Sequence, residues 1–135
     1  MQSGVKLQFL SNKYYNDIMH ELSVTESVLK IACKHAEKAQ ADRVTDIHLV
    51  IGQLSSIIDE SVQFYWDIIS KDTLCEHAKL HFERVPAELI CLDCDHQYSL
   101  AKTLMPCPQC SSSRIRVLAG DEFHLESIEI QSKDD

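Results

Sequence analysis

Two Cys-x-x-Cys pairs, Cys91-Leu92-Asp93-Cys94 and Cys107-Pro108-Gln109-Cys110, stand 12 residues apart and restrict what this chain can fold into more than any other feature. Two thiolates three positions apart on a tight turn both reach one ion at about 2.3 Å, and two such turns complete a tetrahedron. Soft thiolates select zinc over harder cations. A thioredoxin-type redox motif occurs once, at a strand-to-helix junction, and not as a matched pair. The spacing therefore predicts a zinc ribbon with Cys91, Cys94, Cys107 and Cys110 as ligands. Four protein ligands leave no position for a water or a substrate, so this zinc is structural rather than catalytic.

A disulfide framework is the other use of six cysteines in 135 residues. Met1 to Ile18 has no positively charged start leading into an apolar stretch, so the expected location is the reducing cytoplasm, where paired cysteines more often hold metal. No apolar run approaches the roughly 18 residues of a membrane span. A net charge of -8 opposes non-specific attraction to nucleic acid or anionic lipid. Between Pro86 and Leu118, Lys102, Arg114 and Arg116 balance Glu88, Asp93 and Asp95, and Tyr98 is the one aromatic residue able to stack on a base. A nucleic-acid face is missing, and neither nucleic acid nor membrane is an expected partner.

Around the knuckles the pattern is α+β. Residues 1–18 show no clear period and read as an N-terminal extension that need not belong to the working protein. Ser23-x-x-Glu26 is a capping box, and Val24, Val28, Ile31, Ala32 and Ala36 share one face of a helix running to about Gln40. Val44 to Ile51 alternates as a strand with Ile47, Leu49 and Ile51 inside and Asp46 and His48 outside, ending at Gly52. Asp59 is the expected N-cap of a second helix from Glu60 to about Lys71, whose stripe is Val62, Tyr65, Trp66 and Ile69. Leu80 and Phe82 mark a strand stopping near Pro86. Phe123 to Ile130 marks the last one, with a slip of apolar phase between Leu125 and Ile128 such as a bulge produces. The expected fold is two helices packed on a small mixed sheet, built from residues 19–85 and 119–131, with a zinc-ribbon lobe inserted at 86–118 and a tail at 132–135.

Met19-His20-Glu21 followed by Leu22-Ser23 has the look of a chain start, although 18 residues precede it. Were Met19 the first residue, its α-amine, the His20 amide and the His20 imidazole would form adjacent chelate rings around one ion. Nitrogen ligands held nearly in a plane suit Ni(II) or Cu(II). Inside a longer chain the same histidine loses the amine and is a weaker ligand, and spacing alone leaves it an ordinary histidine ahead of a helix.

Met-His-Glu-Leu-Ser running into a helix, the Val44-Thr45-Asp46-Ile47-His48-Leu49-Val50-Ile51-Gly52-Gln53-Leu54 strand, the paired knuckles and the closing Gly120-Asp121-Glu122-Phe123 together resemble the HypA/HybF family from Met19 to about Gln131. These are nickel-incorporation accessory proteins of NiFe-hydrogenase maturation. The resemblance implies a nickel-binding α/β lobe carrying an inserted zinc ribbon, with His20 the principal nickel ligand and Met19 and Glu21 beside it. It implies an acidic residue near that site at Asp59, as ligand or as a group orienting His20. It further implies a nickel-handling maturation GTPase and the hydrogenase large-subunit precursor as partners, with a shared role toward urease left open. Some members carry a histidine just after the last knuckle, where Ser111 stands here.

Two other readings compete with a metallochaperone carrying structural zinc and nickel cargo. A zinc-ribbon module for protein interaction or nucleic-acid binding, without metal transfer, is opposed by charge, and a zinc hydrolase is opposed by the closed cysteine shell. There is no Gly-rich phosphate loop, Gly-x-Ser-x-Gly elbow or His-Glu-x-x-His helix, so no enzymatic activity is expected. Cys33 and Cys75 read as small core hydrophobes. Cys75-x-His77 with His81 suggests a cluster, but Leu80 and Phe82 place His81 on the outer face of a strand, and His81, His35, His48 and His124 read as exposed side chains without a second ligand at a recognisable spacing. His96, two residues past Cys94, reads as a solvated loop histidine, with exchange onto zinc as the sharper alternative.

Overall fold

The periodicity read above builds two layers of one lobe and a separate small sheet. The structure, a computed structural model, describes residues 4–8, 21–100 and 105–132, the first segment in backbone only. Helix α1 is Glu21–Lys38, β2 is Ala41–Gly52, α2 is Asp59–Ile69, β3 is Lys79–Val85 and β7 is Phe123–Ser132. With β1, Gly4–Gln8, these strands form a four-stranded sheet in the order β1-β7-β2-β3. The sheet is mixed: β2 and β3 run parallel, while β7 lies antiparallel to both β2 and β1. A parallel pair needs a crossover, and α2 is that crossover.

Both helices cover one face of this sheet. Val24, Val28, Ala32 and Ala36 of α1 and Val62 and Trp66 of α2 are buried against Ile47, Leu49, Ile51, Leu80, Phe123 and Ile128. These positions recur at three and four along the helices and at two along β2, so helix and strand each bury one side. The apolar slip in β7 is a bulge: His48 faces Ser127 but Leu49 faces Leu125, leaving Glu126 as the extra residue.

Two expectations are corrected. The capping box does not cap, because α1 already includes Glu21 and Ser23 lies within its first turn; Thr25 instead bonds the Glu21 carbonyl at 2.5 Å. Asp59 is the first helical residue of α2 and not its N-cap, a position held by extended Ile58 without a side-chain cap. Within the extension, where the sequence shows no clear period, Gly4–Gln8 pairs with β7 from Gly4 opposite Gln131 to Gln8 opposite Ser127. A five-residue segment carries too little pattern to announce a strand, and the open edge of β7 supplies the missing partner.

The second sheet is antiparallel, in the order β5-β4-β6, from β4 (Glu88–Cys91), β5 (Gln97–Ser99) and β6 (Ile115–Ala119). Its apolar core is small: Ala87, Leu89 and Leu100 are buried, with Tyr98, Ile115 and Leu54 packed against them. Leu54 comes from the segment after β2, so one lobe lends a side chain to the core of the other.

The chain passes between the sheets at a crossing of two glycines. A Cβ on Gly52 would stand 2.1 Å from the Gly120 carbonyl oxygen, and one on Gly120 would stand 2.4 Å from the Ala87 Cα. Gly120 also has φ +104, a conformation that side chains oppose. Backbone bonds close the crossing: Gly52 N–H donates to Glu122 O and Leu54 N–H to Gly120 O, each at 2.7 Å, and Gln53 N–H to Val85 O at 2.9 Å. The Ala87 N–H adds a 2.8 Å bond to Gln53 Oε1.

Candidate metal centres

Cys91, Cys94, Cys107 and Cys110 converge, their sulfurs all within 4.8 Å of one another. The Cys91–Cys110 and Cys94–Cys107 sulfur separations are 3.5 and 3.6 Å. A tetrahedron with Zn–S bonds of about 2.3 Å has edges of about 3.8 Å, so the four sulfurs fit zinc.

The two knuckles are built alike. The Cys91 N–H donates to His96 O and the Cys107 N–H to Ser112 O, both at 2.9 Å. Four residues after each leading cysteine, the Asp95 N–H returns to Cys91 O at 2.9 Å and the Ser111 N–H to Cys107 O at 2.8 Å. Asp95 and Ser111 both take left-handed backbone, φ 62 and 65. The N–H groups of Asp93 and Gln109 point at the Cys91 and Cys107 sulfurs, each at 3.4 Å. Such donors stabilise thiolate charge at the metal. Neither position is glycine, the residue that most strongly marks left-handed backbone, although Asp95 is of a type that tolerates it.

Electrostatics within the cluster follow from crowding four acids together. Burial pushes the Cys91 thiol up, but the N–H groups of Asp93 and Cys94 and the neighbouring thiols outweigh it and bring it down to about 7. At Cys94 the N–H of His96 pulls down, yet burial and the three other sulfurs raise it to about 12. The first thiolate forms readily and opposes the next, so four thiolates together require a cation. Outside the sulfur shell, Asp93 pairs with Arg114 and Ser112. Tyr98 donates to the Met105 carbonyl at 3.0 Å and stacks on His96 at 5.9 Å between ring centres. His96 thus rests against Tyr98, and the metal-ligating group comprises the four cysteines alone among the described residues.

The second set of candidates is more scattered. Met19 and His20 lie outside the described residues. Glu21 opens α1, half-buried. Asp59 stands at the start of α2 with its carboxylate 2.5 Å from Arg84 Nη2. Arg84 also donates to the carbonyls of Gly52 at 3.4 Å and Ile57 at 3.2 Å, so it ties the segment before α2 to β3. That partner is 25 residues away from Asp59, too far for any spacing rule to find.

The folded chain also corrects the reading of its histidines. His124 is buried, 8% exposed, with Nε2 3.1 Å from Glu126. His48 and His81 are half-buried on the outer face of the sheet, their rings stacked at 4.6 Å. Each meets a carboxylate at 2.7 Å, Glu129 for His48 and Asp46 for His81. Burial raises the Asp46 carboxyl, and the bonds from His81 and Thr45 together with both imidazoles more than offset it, leaving it below its ordinary value. These pairs arise because β3 and β7 flank β2, which no local pattern reveals.

Residues 19–130 match the family described as HypA, hydrogenase/urease nickel incorporation, metallochaperone. The chain belongs to the HypA/HybF family. Among its relatives, the hydrogenase maturation factor HypA of Dehalococcoides mccartyi is 41% identical over 115 residues, covering 85% of this chain and 97% of that protein. The hydrogenase maturation factor HybF of Klebsiella pneumoniae is 34% identical over 111 residues, covering 82% and 98%. The solution structure of the Ni metallochaperone HypA from Helicobacter pylori superposes with a TM-score of 0.63 at 27% identity, covering 85% of this chain and all of that one. Membership in HypA/HybF makes this a nickel metallochaperone of hydrogenase maturation, and the four-cysteine centre fits a structural zinc site. A nucleic-acid module without metal transfer is not favoured.

Proposed function

We propose that this chain takes up one nickel ion at a site centred on His20 and passes it to cytoplasmic partners of hydrogenase maturation. The observation that carries the reading is the position of the family match, which opens on Met19-His20 immediately ahead of α1. The His20 imidazole is the principal donor. The Met19 amine completes the chelate where Met19 is the first residue, and Glu21 adds its backbone or its carboxylate. Asp59 supplies a hard oxygen donor or orients His20, and as a ligand it would exchange Arg84 for the metal. The chelate would then trade one cation for another at the same carboxylate, which favours a site that releases its cargo.

The proposed division of labour follows the two sheets. Residues 19–85 and 119–131 form the nickel lobe, and 86–118 form the zinc ribbon, which holds its own shape and offers a docking surface. The partners are a nickel-handling GTPase, which accepts or drives release of the ion, and the precursor of the hydrogenase large subunit, which receives it. Among the described residues no helix is long and apolar enough to cross a membrane. A ligand set beside a chain terminus opens at low cost, as transfer requires.

The test is elemental analysis of the His20→Ala variant. Nickel stoichiometry is expected to fall to background while zinc and helical content stay unchanged. Undiminished nickel in that variant removes the proposal. Comparing protein begun at Met1 with protein begun at Met19 measures the share of the amine, because only the second presents it.

A further inference from the structure

The zinc centre uses four of the six cysteines, and the remaining two are not isolated from each other. Cys33 Sγ lies 3.6 Å from Cys75 Sγ, although 42 residues separate them. We propose that Cys33 and Cys75 form an oxidisable dithiol, a modification site that a peroxide-class oxidant closes into a disulfide joining α1 to the turn between α2 and β3.

The surroundings give the two sulfurs different roles. Cys75 is fully buried in the main core. Its turn is held firmly: the Cys75 N–H donates to Thr73 Oγ1 at 3.1 Å, Thr73 Oγ1 donates to Ser70 O at 2.7 Å, and the Val44 N–H of β2 donates to Leu74 O at 2.7 Å. Cys33 is only partly buried and lines an open groove of ≈ 550 Å³ with Glu26, Leu29, Lys30, Ile69 and Thr73. A small oxidant reaches Cys33 from this groove, whereas Cys75 is reached only by Cys33. Burial, with the neighbouring Cys33 sulfur adding to it, also pushes the Cys75 thiol far up, so Cys75 is not the first nucleophile and its attack depends on being held against Cys33.

With hydrogen peroxide the steps balance. The Cys33 thiolate attacks one peroxide oxygen, the O–O bond breaks, and hydroxide leaves and takes a proton, giving Cys33 sulfenic acid and one water. The Cys75 sulfur then attacks the Cys33 sulfur, the S–O bond breaks, and the departing hydroxide takes the Cys75 proton as a second water. Two thiols are oxidised and one peroxide is reduced. The sulfurs must close from 3.6 Å to about 2.05 Å, a movement available to Cys33 by side-chain rotation while the turn around Cys75 stays in place. No third donor joins the pair into a metal-ligating group among the described residues.

The bond would enclose a long stretch of chain containing β2 and α2, so it constrains the unfolded state strongly. It thereby couples the rigidity of the nickel lobe to oxidant while leaving the zinc shell untouched.

The experiment uses the full, zinc-loaded chain treated with hydrogen peroxide, alkylated and digested with trypsin without reductant. The expected product is the peptide Ile31–Lys34 linked to Asp72–Lys79, lighter by two hydrogens than the separate pair and released by dithiothreitol. Zinc content stays unchanged, and the thermal midpoint of the oxidised protein rises by about 5 °C or more. The Cys33→Ser variant folds as the reduced protein does and shows no such rise on oxidation. Separate alkylation of Cys33 and Cys75 after oxidant overturns the proposal. So does Cys33 sulfinic acid beside a free Cys75 thiol, or a link from Cys33 to a ribbon cysteine.

Discussion

The two lobes reach a folded state by different means. The α/β lobe buries a continuous core around Trp66, Phe123, Ile47 and Ile51, and its order follows from apolar area removed from water. Among the described residues the apolar cluster of the ribbon is Ala87, Leu89 and Leu100, beside the buried ligands Cys91 and Cys107, and a core of that size does not offset the entropy of ordering some thirty residues. Its order depends on one ion and four thiolates. Firm burial is therefore a poor guide to where the strongest single bonds lie, and the lobe with the least core carries the most recognisable motif.

The comparison is broken most directly at the zinc. Cys107→Ser removes a buried ligand, and the loss of zinc-linked folding free energy should be on the order of 10 kcal/mol for the ribbon. Hydrogen exchange should show Cys91, Leu92 and Cys107 amides losing protection while those of α1 and β2 keep it. If α1 and β2 lose protection together with the ribbon, the lobes are one cooperative unit and the contrast fails.

The converse substitution, Trp66→Ala, empties the centre of the α/β core at a cost of about 3–5 kcal/mol, read as a lower urea midpoint by circular dichroism. Zinc stoichiometry should not change. Gly120→Ala strikes the crossing between the lobes, where added Cβ and left-handed backbone together cost about 2–4 kcal/mol. It sharpens the comparison, because its effect should register in the exchange rates of both lobes, unlike either preceding variant.

The smallest expected effect is one of pH. The folded-state carboxyl of Asp46 lies below its ordinary value, so its stabilisation is present above the unfolded value of about 3.9 and fades as pH falls through the lower folded value. Between about pH 6 and about pH 3 the urea midpoint of Asp46→Asn should fall less than that of the unmodified protein. An equal fall would assign acid sensitivity to other carboxylates.

Much of this was legible along the chain. The zinc shell follows from two local spacings, and the buried faces of α1, α2 and β2 follow from periods of 3.6 and 2. The bulge at Glu126 shows in the slip between Leu125 and Ile128. Helix starts were less legible: Ser23 and Asp59 have capping chemistry, yet each lies inside its helix, and extended Ile58 precedes α2 with no side-chain cap. His124 was misread as exposed, and the carboxylate partners of His48 and His81 were missed, because both depend on what lies across the strand.

The sequence by itself determined the paired cysteine knuckles, the helices α1 and α2, the strands β2, β3 and β7, and the family motifs of the Met19-to-Gln131 stretch, because each rests on residues close together in the chain. Only the tertiary structure decided that β1 extends the sheet, that Gly52 meets Gly120, that Arg84 holds Asp59, and that Cys33 meets Cys75. Those pairs span tens of residues or more, and their adjacency is set by how layers pack and strands order, a property of the whole core rather than of any segment within it.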